Sequence, residues 1–90
     1  MIEIINVRNF LDTGYIGVIL KPKQWDTVLR CDYYTRSNQS HWEYGKCEDN
    51  KLGKIRFNKE GELRKDEVPD EVKNKFRKIL ADEGLVEKLI

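Results

Sequence analysis

Between Trp25 and Arg36 the chain alternates. Odd positions carry Trp25, Thr27, Leu29, Cys31, Tyr33 and Thr35; even positions carry Asp26, Val28, Arg30, Asp32, Tyr34 and Arg36. A period of two predicts a strand with one face turned to the core and the other to water. Upstream, Ile2, Ile4, Ile5 and Val7 make residues 2–8 β-branched and mostly apolar, which predicts a first strand. Asp12, Thr13 and Gly14 are turn chemistry. Residues 15–20 follow as a second strand, apolar on both parities and therefore central in a sheet. Gly17 inside it marks a bulge, or a place where a ring or another backbone lies close. Pro22 ends it, since proline cannot donate to a ladder.

The pattern continues with a turn at residues 37–40, a fourth strand over 41–48 and a turn at 49–53. Residues 54–57 and 62–64 read as two short strands of a hairpin turned through Gly61. Beyond them the period changes. Val72, Phe76, Ile79 and Leu80 fall at i, i+4, i+7 and i+8, the single apolar stripe of a helix. Pro69 suits its first turn, Asp70 and Glu71 its positive end, and Lys73, Lys75, Arg77 and Lys78 are expected to complement the dipole in later turns. Gly84 reads as the residue that stops it.

These elements predict one α+β domain spanning residues 1–90. Residues 1–65 form an antiparallel meander of five or six strands, curled strongly. A C-terminal helix over about residues 69–83 packs on the sheet, and residues 84–90 form an apolar tail. A small barrel of OB or SH3 type plus a helix satisfies the same strand count.

Both cysteines, the one histidine, one tryptophan and three of the four tyrosines lie in residues 29–47. A two-residue loop at Asn38 and Gln39 would pair Tyr33 with Tyr44 and Thr35 with Trp42. A bulge at Gly45 and Lys46 would then bring Cys47 opposite Cys31 on the core side. The expectation is a pair of adjacent buried thiols, packed as small hydrophobes. A metal site would need Cys31, His41 and Cys47 to converge, and their spacing matches no usual zinc arrangement. The same separation argues against a Cys–His nucleophile pair. His41 reads as a solvated turn residue, and Trp25 and Trp42 as core rings.

Charge changes little in this picture. Seventeen basic and sixteen acidic residues leave a net charge of +1, with hydrophobic residues at 39% and charged ones at 37%. That is a globular protein with a charged surface, and no polyanion-seeking field. The first residues lack the basic and apolar regions of a secretory signal, and the longest apolar run is too short for a membrane span. Free thiols in a cytoplasmic protein are the expectation.

No acid–base pair, phosphate loop, metal spacing or cofactor fingerprint is visible, so no enzyme activity, metal or cofactor is expected. The residues available for binding are Arg30, Tyr34 and Arg36, on the wet side of the third strand. They suggest a non-catalytic protein-binding module: a small stand-alone accessory or inhibitory factor of phage or mobile-element type, monomeric or a small homo-oligomer. A ring flanked by two arginines also suits a single-stranded nucleic acid or RNA, which is the alternative. Asp26 and Asp32 on the same side dilute that second reading.

Overall fold

The computed structural model describes residues 2–49 and 54–84. Five strands, β1 (Ile2–Phe10), β2 (Tyr15–Pro22), β3 (Val28–Tyr34), β4 (Gln39–Asp49) and β5 (Ile55–Leu63), precede a helix α1 (Asp70–Asp82). They form one antiparallel sheet in the order β1-β2-β3-β4-β5, the expected meander. β1 and β5 are its two edges and do not pair, so the sheet is open and the barrel alternative is set aside. Among the described residues, no helix is long and apolar enough to cross a membrane.

Alternation divides the sheet into two faces. Ile16, Val18 and Leu20 of β2, Leu29, Cys31 and Tyr33 of β3, and Trp42 of β4 point to one side, where α1 covers them. The helix contributes Val72, Phe76, Ile79 and Leu80, all buried, as the apolar stripe requires. Phe76 meets Trp42 edge-on, with ring centroids 5.5 Å apart. Burying each such side chain is worth about 1.5–3 kcal/mol, so this one contact surface supplies much of a small domain's stability. Glycine stops the helix as expected: Gly84 has φ of +78° and donates its N–H to the Ala81 carbonyl at 3.0 Å. The basic residues do not complement the dipole, however, because the last turn carries none.

The second, open face holds Tyr15, Gly17 and Ile19 of β2, Val28, Arg30, Asp32 and Tyr34 of β3, and His41, Glu43 and Cys47 of β4. In a flat sheet the edge strands would stand about 19 Å apart, four spacings of about 4.8 Å and beyond the reach of an arginine. Yet Arg8 of β1 reaches the Ile55 carbonyl of β5 at 3.5 Å. The sheet therefore curls over this face, which explains why Ile19 and Val28 are buried without any helix above them.

Several expectations fail in register. β3 begins at Val28; Trp25 lies in the preceding loop, its N–H bonded to the Pro22 carbonyl, with its ring packed half-buried against the core. The β3–β4 connection has four residues, 35–38, with Tyr34 opposite Gln39 and Cys31 opposite Trp42. Asn38 takes the left-handed conformation at φ 55° and accepts a bond from the Tyr33 hydroxyl, while the Thr35 N–H bonds the Gly14 carbonyl. These three features stabilise the longer turn over a two-residue one. The shift in pairing is even, so Trp42 and Tyr44 keep their face. Cys47 does not join Cys31: it lies opposite Phe57 on the open face, and both thiols are free.

The expected bulge also sits elsewhere. Register slips between Tyr44, opposite Gly61, and Gly45, opposite Lys59, so the extra residue is Glu60 on β5. A Cβ on Gly45 would collide with the Asn58 carbonyl, and only glycine allows this approach of β5. Ile55–Leu63 thus forms one bulged strand, and the predicted separate hairpin at Gly61 is absent. Of the turn expected at residues 49–53, Asp49 belongs to β4 and the rest lie outside the described residues, as does the expected tail at 84–90 beyond Gly84. Phe76→Ala is expected to cost about 3–5 kcal/mol in urea-denaturation free energy, the usual cost of emptying a buried aromatic site.

Candidate functional site

Three rings are laid across the open face where β1, β2 and β3 end. Phe10 and Tyr15 flank the turn at residues 11–14 and stand opposite one another in the β1–β2 ladder. Their centroids are 5.8 Å apart and nearly parallel, and Tyr15 in turn lies 5.6 Å from Tyr34. The outer two rings stay accessible, Phe10 at 51% and Tyr34 at 43% exposure.

The middle ring is anchored from below. The Tyr15 hydroxyl donates to Asp32 Oδ1 at 2.7 Å, Arg30 Nε donates to the same oxygen at 3.2 Å, and Arg30 Nη2 donates to the Tyr15 oxygen at 3.1 Å. Gly17 leaves room for this triangle, since a Cβ there would stand 2.5 Å from the Tyr15 oxygen and 2.9 Å from Asp32 Oδ1. Of the two readings of Gly17, the close ring is the one realised. Arg30 also lies over the Phe57 ring of β5, 5.9 Å from its centroid.

Burial pushes the Tyr15 phenol up from its usual range, reinforced by the Asp32 carboxylate. Burial also disfavours the Arg30 guanidinium, but its bonds to Tyr15 and Asp32 outweigh that and leave its pKa raised. Asp32, expected on the wet side, is 5% exposed. It is tolerated there because two donors meet its carboxylate.

The three expected binding residues therefore part company. Arg30 is held inside the triangle. Tyr34 is an exposed ring tilted against Tyr15 at 38°. Arg36 is exposed in the β3–β4 turn, where its side chain lies beside Gly14. Sequence reasoning missed Phe10, Tyr15 and Phe57 as members of this face. The available signal was the aromatic residue on each side of the first turn, which any tight hairpin brings together.

A second cluster occupies the same face on β4 and β5. His41 lies within β4, as the strand over 41–48 required, but its side chain, read as solvated beside the turn, is engaged by two carboxylates. Its Nε2 is 3.0 Å from Glu43 Oε2 and 2.9 Å from Glu62 Oε1. Two carboxylate acceptors at one nitrogen require that nitrogen to carry the proton. Lys59 Nζ bridges the same two oxygens, 3.2 Å from each. Three potential metal ligands thus converge within 4.8 Å, but the Lys59 ammonium already supplies the positive charge between the carboxylates. Cys31, His41 and Cys47, the trio that a metal site would have needed, are divided between the two faces of the sheet.

Burial disfavours the Glu43 carboxylate, yet the bonds from His41 and Lys59 outweigh this and hold its pKa below the usual range. Cys31 is moved the other way: burial, with the Asp32 charge adding to it, pushes the thiol well up and keeps it protonated. Cys47 is raised more modestly by burial, with Arg8 opposing. A neutral thiol beneath a helix is a poor nucleophile. Comparison of the chain with protein-family models, with curated proteins and with solved structures finds no match.

Two measurements check this geometry. Asp32→Ala leaves the Arg30 guanidinium and the Tyr15 hydroxyl without their shared acceptor, and is expected to lower unfolding free energy by about 3 kcal/mol, against about 1 kcal/mol for Tyr15→Phe. Glu43 has a folded-state pKa below its unfolded value, so its contribution is complete above about pH 5 and is lost as pH falls through the folded value. Thermal midpoints measured from pH 7 to pH 3 should therefore fall more steeply for the wild type than for Glu43→Gln.

Proposed function

We propose that this chain is a non-catalytic protein-binding module whose contact surface is the aromatic end of the open face. Phe10 and Tyr34 are the anchors, Arg36 stands at the rim, and Arg30 acts as a support. The observation that carries this reading is the row of Phe10, Tyr15 and Tyr34, ring against ring, with the two outer rings about half exposed. Large rings with few rotatable bonds are the residues that most often dominate binding energy at interfaces. Here they are also fixed before any partner arrives. Tyr15 is tied to Asp32 and Arg30, and Tyr34 leans on Tyr15, so little side-chain freedom is left to lose on binding.

The role of a small accessory or inhibitory factor fits a domain whose recognisable assets are a rigid aromatic patch and a charged remainder. A single-stranded nucleic acid is the second reading, favoured by Arg36 in the turn next to the Tyr34 strand end. It is weakened by Arg30, whose guanidinium is bonded to Asp32 and so is less available for phosphate. The net charge of +1 adds no long-range attraction.

Co-purification from the native host, compared between wild type and Tyr34→Ala, tests the proposal. A specific protein partner should be retained by the wild type, and its affinity reduced roughly tenfold to a hundredfold by Tyr34→Ala or Phe10→Ala, the range expected of anchor residues. Fluorescence anisotropy with short single-stranded DNA and RNA, at low and moderate salt, should show no salt-dependent binding. Salt-dependent oligonucleotide affinity that Tyr34→Ala abolishes would replace this reading with the second.

A further inference from the structure

From the free edge of the sheet we infer that β1 pairs with β1 of a second copy of this chain, giving a two-fold dimer with a continuous ten-stranded sheet. β1 has β2 on one side and no strand on the other. Of the exposed large apolar side chains among the described residues, Ile4, Val7 and Phe10 all belong to this one edge strand. Ile4 is 42% exposed and Val7 38%, although both stand opposite core residues, Leu20 and Val18. An edge strand of nine residues carrying uncovered apolar side chains is a template for another strand.

The register follows from the bulge. Ladder pairing slips between Ile4 and Asn6, making Ile5 the extra residue. Ile4 and Val7, three apart, would face opposite sides in a regular strand; the slip puts both on the helix side. Edge bulges usually discourage pairing. Two copies with the same slip at the same place match residue for residue about a two-fold axis between Ile5 and Asn6. In that arrangement Ile4 of each copy stands opposite Val7 of the other, both on the helix side. Glu3 of each copy stands opposite Arg8 of the other, both on the open side. A two-fold interface makes each pair twice, so it contains two Ile–Val contacts and two opposite-charge pairs. Arg8 already touches the Ile55 carbonyl through Nη2 and has further guanidinium donors for a carboxylate. Ile4 and Val7 lie outside the buried core cluster, so the strip they form is additional to what folds the monomer.

The second copy is the occupant the charges select. A self-complementary strand needs Glu and Arg at positions symmetric about its own centre, and the pairs Ile4/Val7 and Glu3/Arg8 are both symmetric about one point. Phe10 ends β1 and so borders both surfaces, but Glu3 and Arg8 lie away from the aromatic end, so charge reversals there test dimerisation apart from the partner binding proposed above.

Sedimentation equilibrium on the full chain over a concentration series tests the inference, with circular dichroism confirming that each variant is folded. The wild type should dimerise reversibly. Glu3→Arg alone and Arg8→Glu alone each place like charges opposite one another twice, and each should weaken the dimer by about tenfold or more. Mixing these two variants in equal amounts should restore dimerisation, because in the mixed dimer both cross-axis pairs again join an acid to a base. Val7→Lys should leave a monomer; Ile4→Lys serves the same purpose if that variant does not fold. A wild type that stays monomeric at millimolar concentration overturns the inference, as does a dimer indifferent to both charge reversals or one not restored by mixing.

Discussion

One helix covers one face of the sheet, and the other face has to be covered by the sheet itself. α1, at thirteen residues, is about 20 Å long, enough to lie across β2, β3 and β4 but not to wrap them. Under it lies the hydrophobic core cluster, in which Phe76 packs edge-on against Trp42. On the far side the described residues supply no second helix, so the β4–β5 end folds toward β1 and encloses Ile19 and Val28. Everything distinctive about the open face follows from this shortage of cover.

A face closed by curvature alone is small and cannot be purely apolar. Arg30 and Asp32 arrive there because β3 alternates, and they remain because Tyr15 completes their bonding. His41, Glu43, Lys59 and Glu62 solve the same problem at the other end, with charges that neutralise one another. The two ionic groups meet at the β3–β4 ladder, where Arg30 stands opposite Glu43 and Asp32 opposite His41. The exposed rings of Phe10 and Tyr34 are what the curl does not reach. Their accessibility and their rigidity have one origin: they sit at the rim of a closed polar network.

Local pattern was enough to read the elements and their faces. The stripe Val72, Phe76, Ile79 and Leu80 identified the helix and its buried side, and the alternation Leu29, Cys31, Tyr33 identified the core side of β3. The position of Gly84 marked the helix end. What could not be read was pairing. The β3–β4 turn has four residues because Asn38 adopts a left-handed backbone and Thr35 bonds Gly14, a contact with a segment about twenty residues earlier in the sequence. Cys47 stays on the face opposite Cys31 because the extra residue lies on β5 and β4 runs through Gly45 and Lys46 without a bulge. Similarly, β5 runs straight through Gly61 because β4 pairs with it on both sides of the bulge, a tertiary effect that overrides the local turn signal. The cluster at His41 depends on Glu62, which register alone brings within reach.

Strand order along the sheet repeats strand order along the chain. Each ladder therefore closes only a short loop, and the entropy lost at each step is small. Folding of the meander can advance hairpin by hairpin from any starting pair. The helix is the exception, since Phe76 must find Trp42 across the whole of β5 and its connections. A chain emerging from a ribosome would have its sheet assembled while the helix side still lay bare, and α1 would act as the latch that seals it.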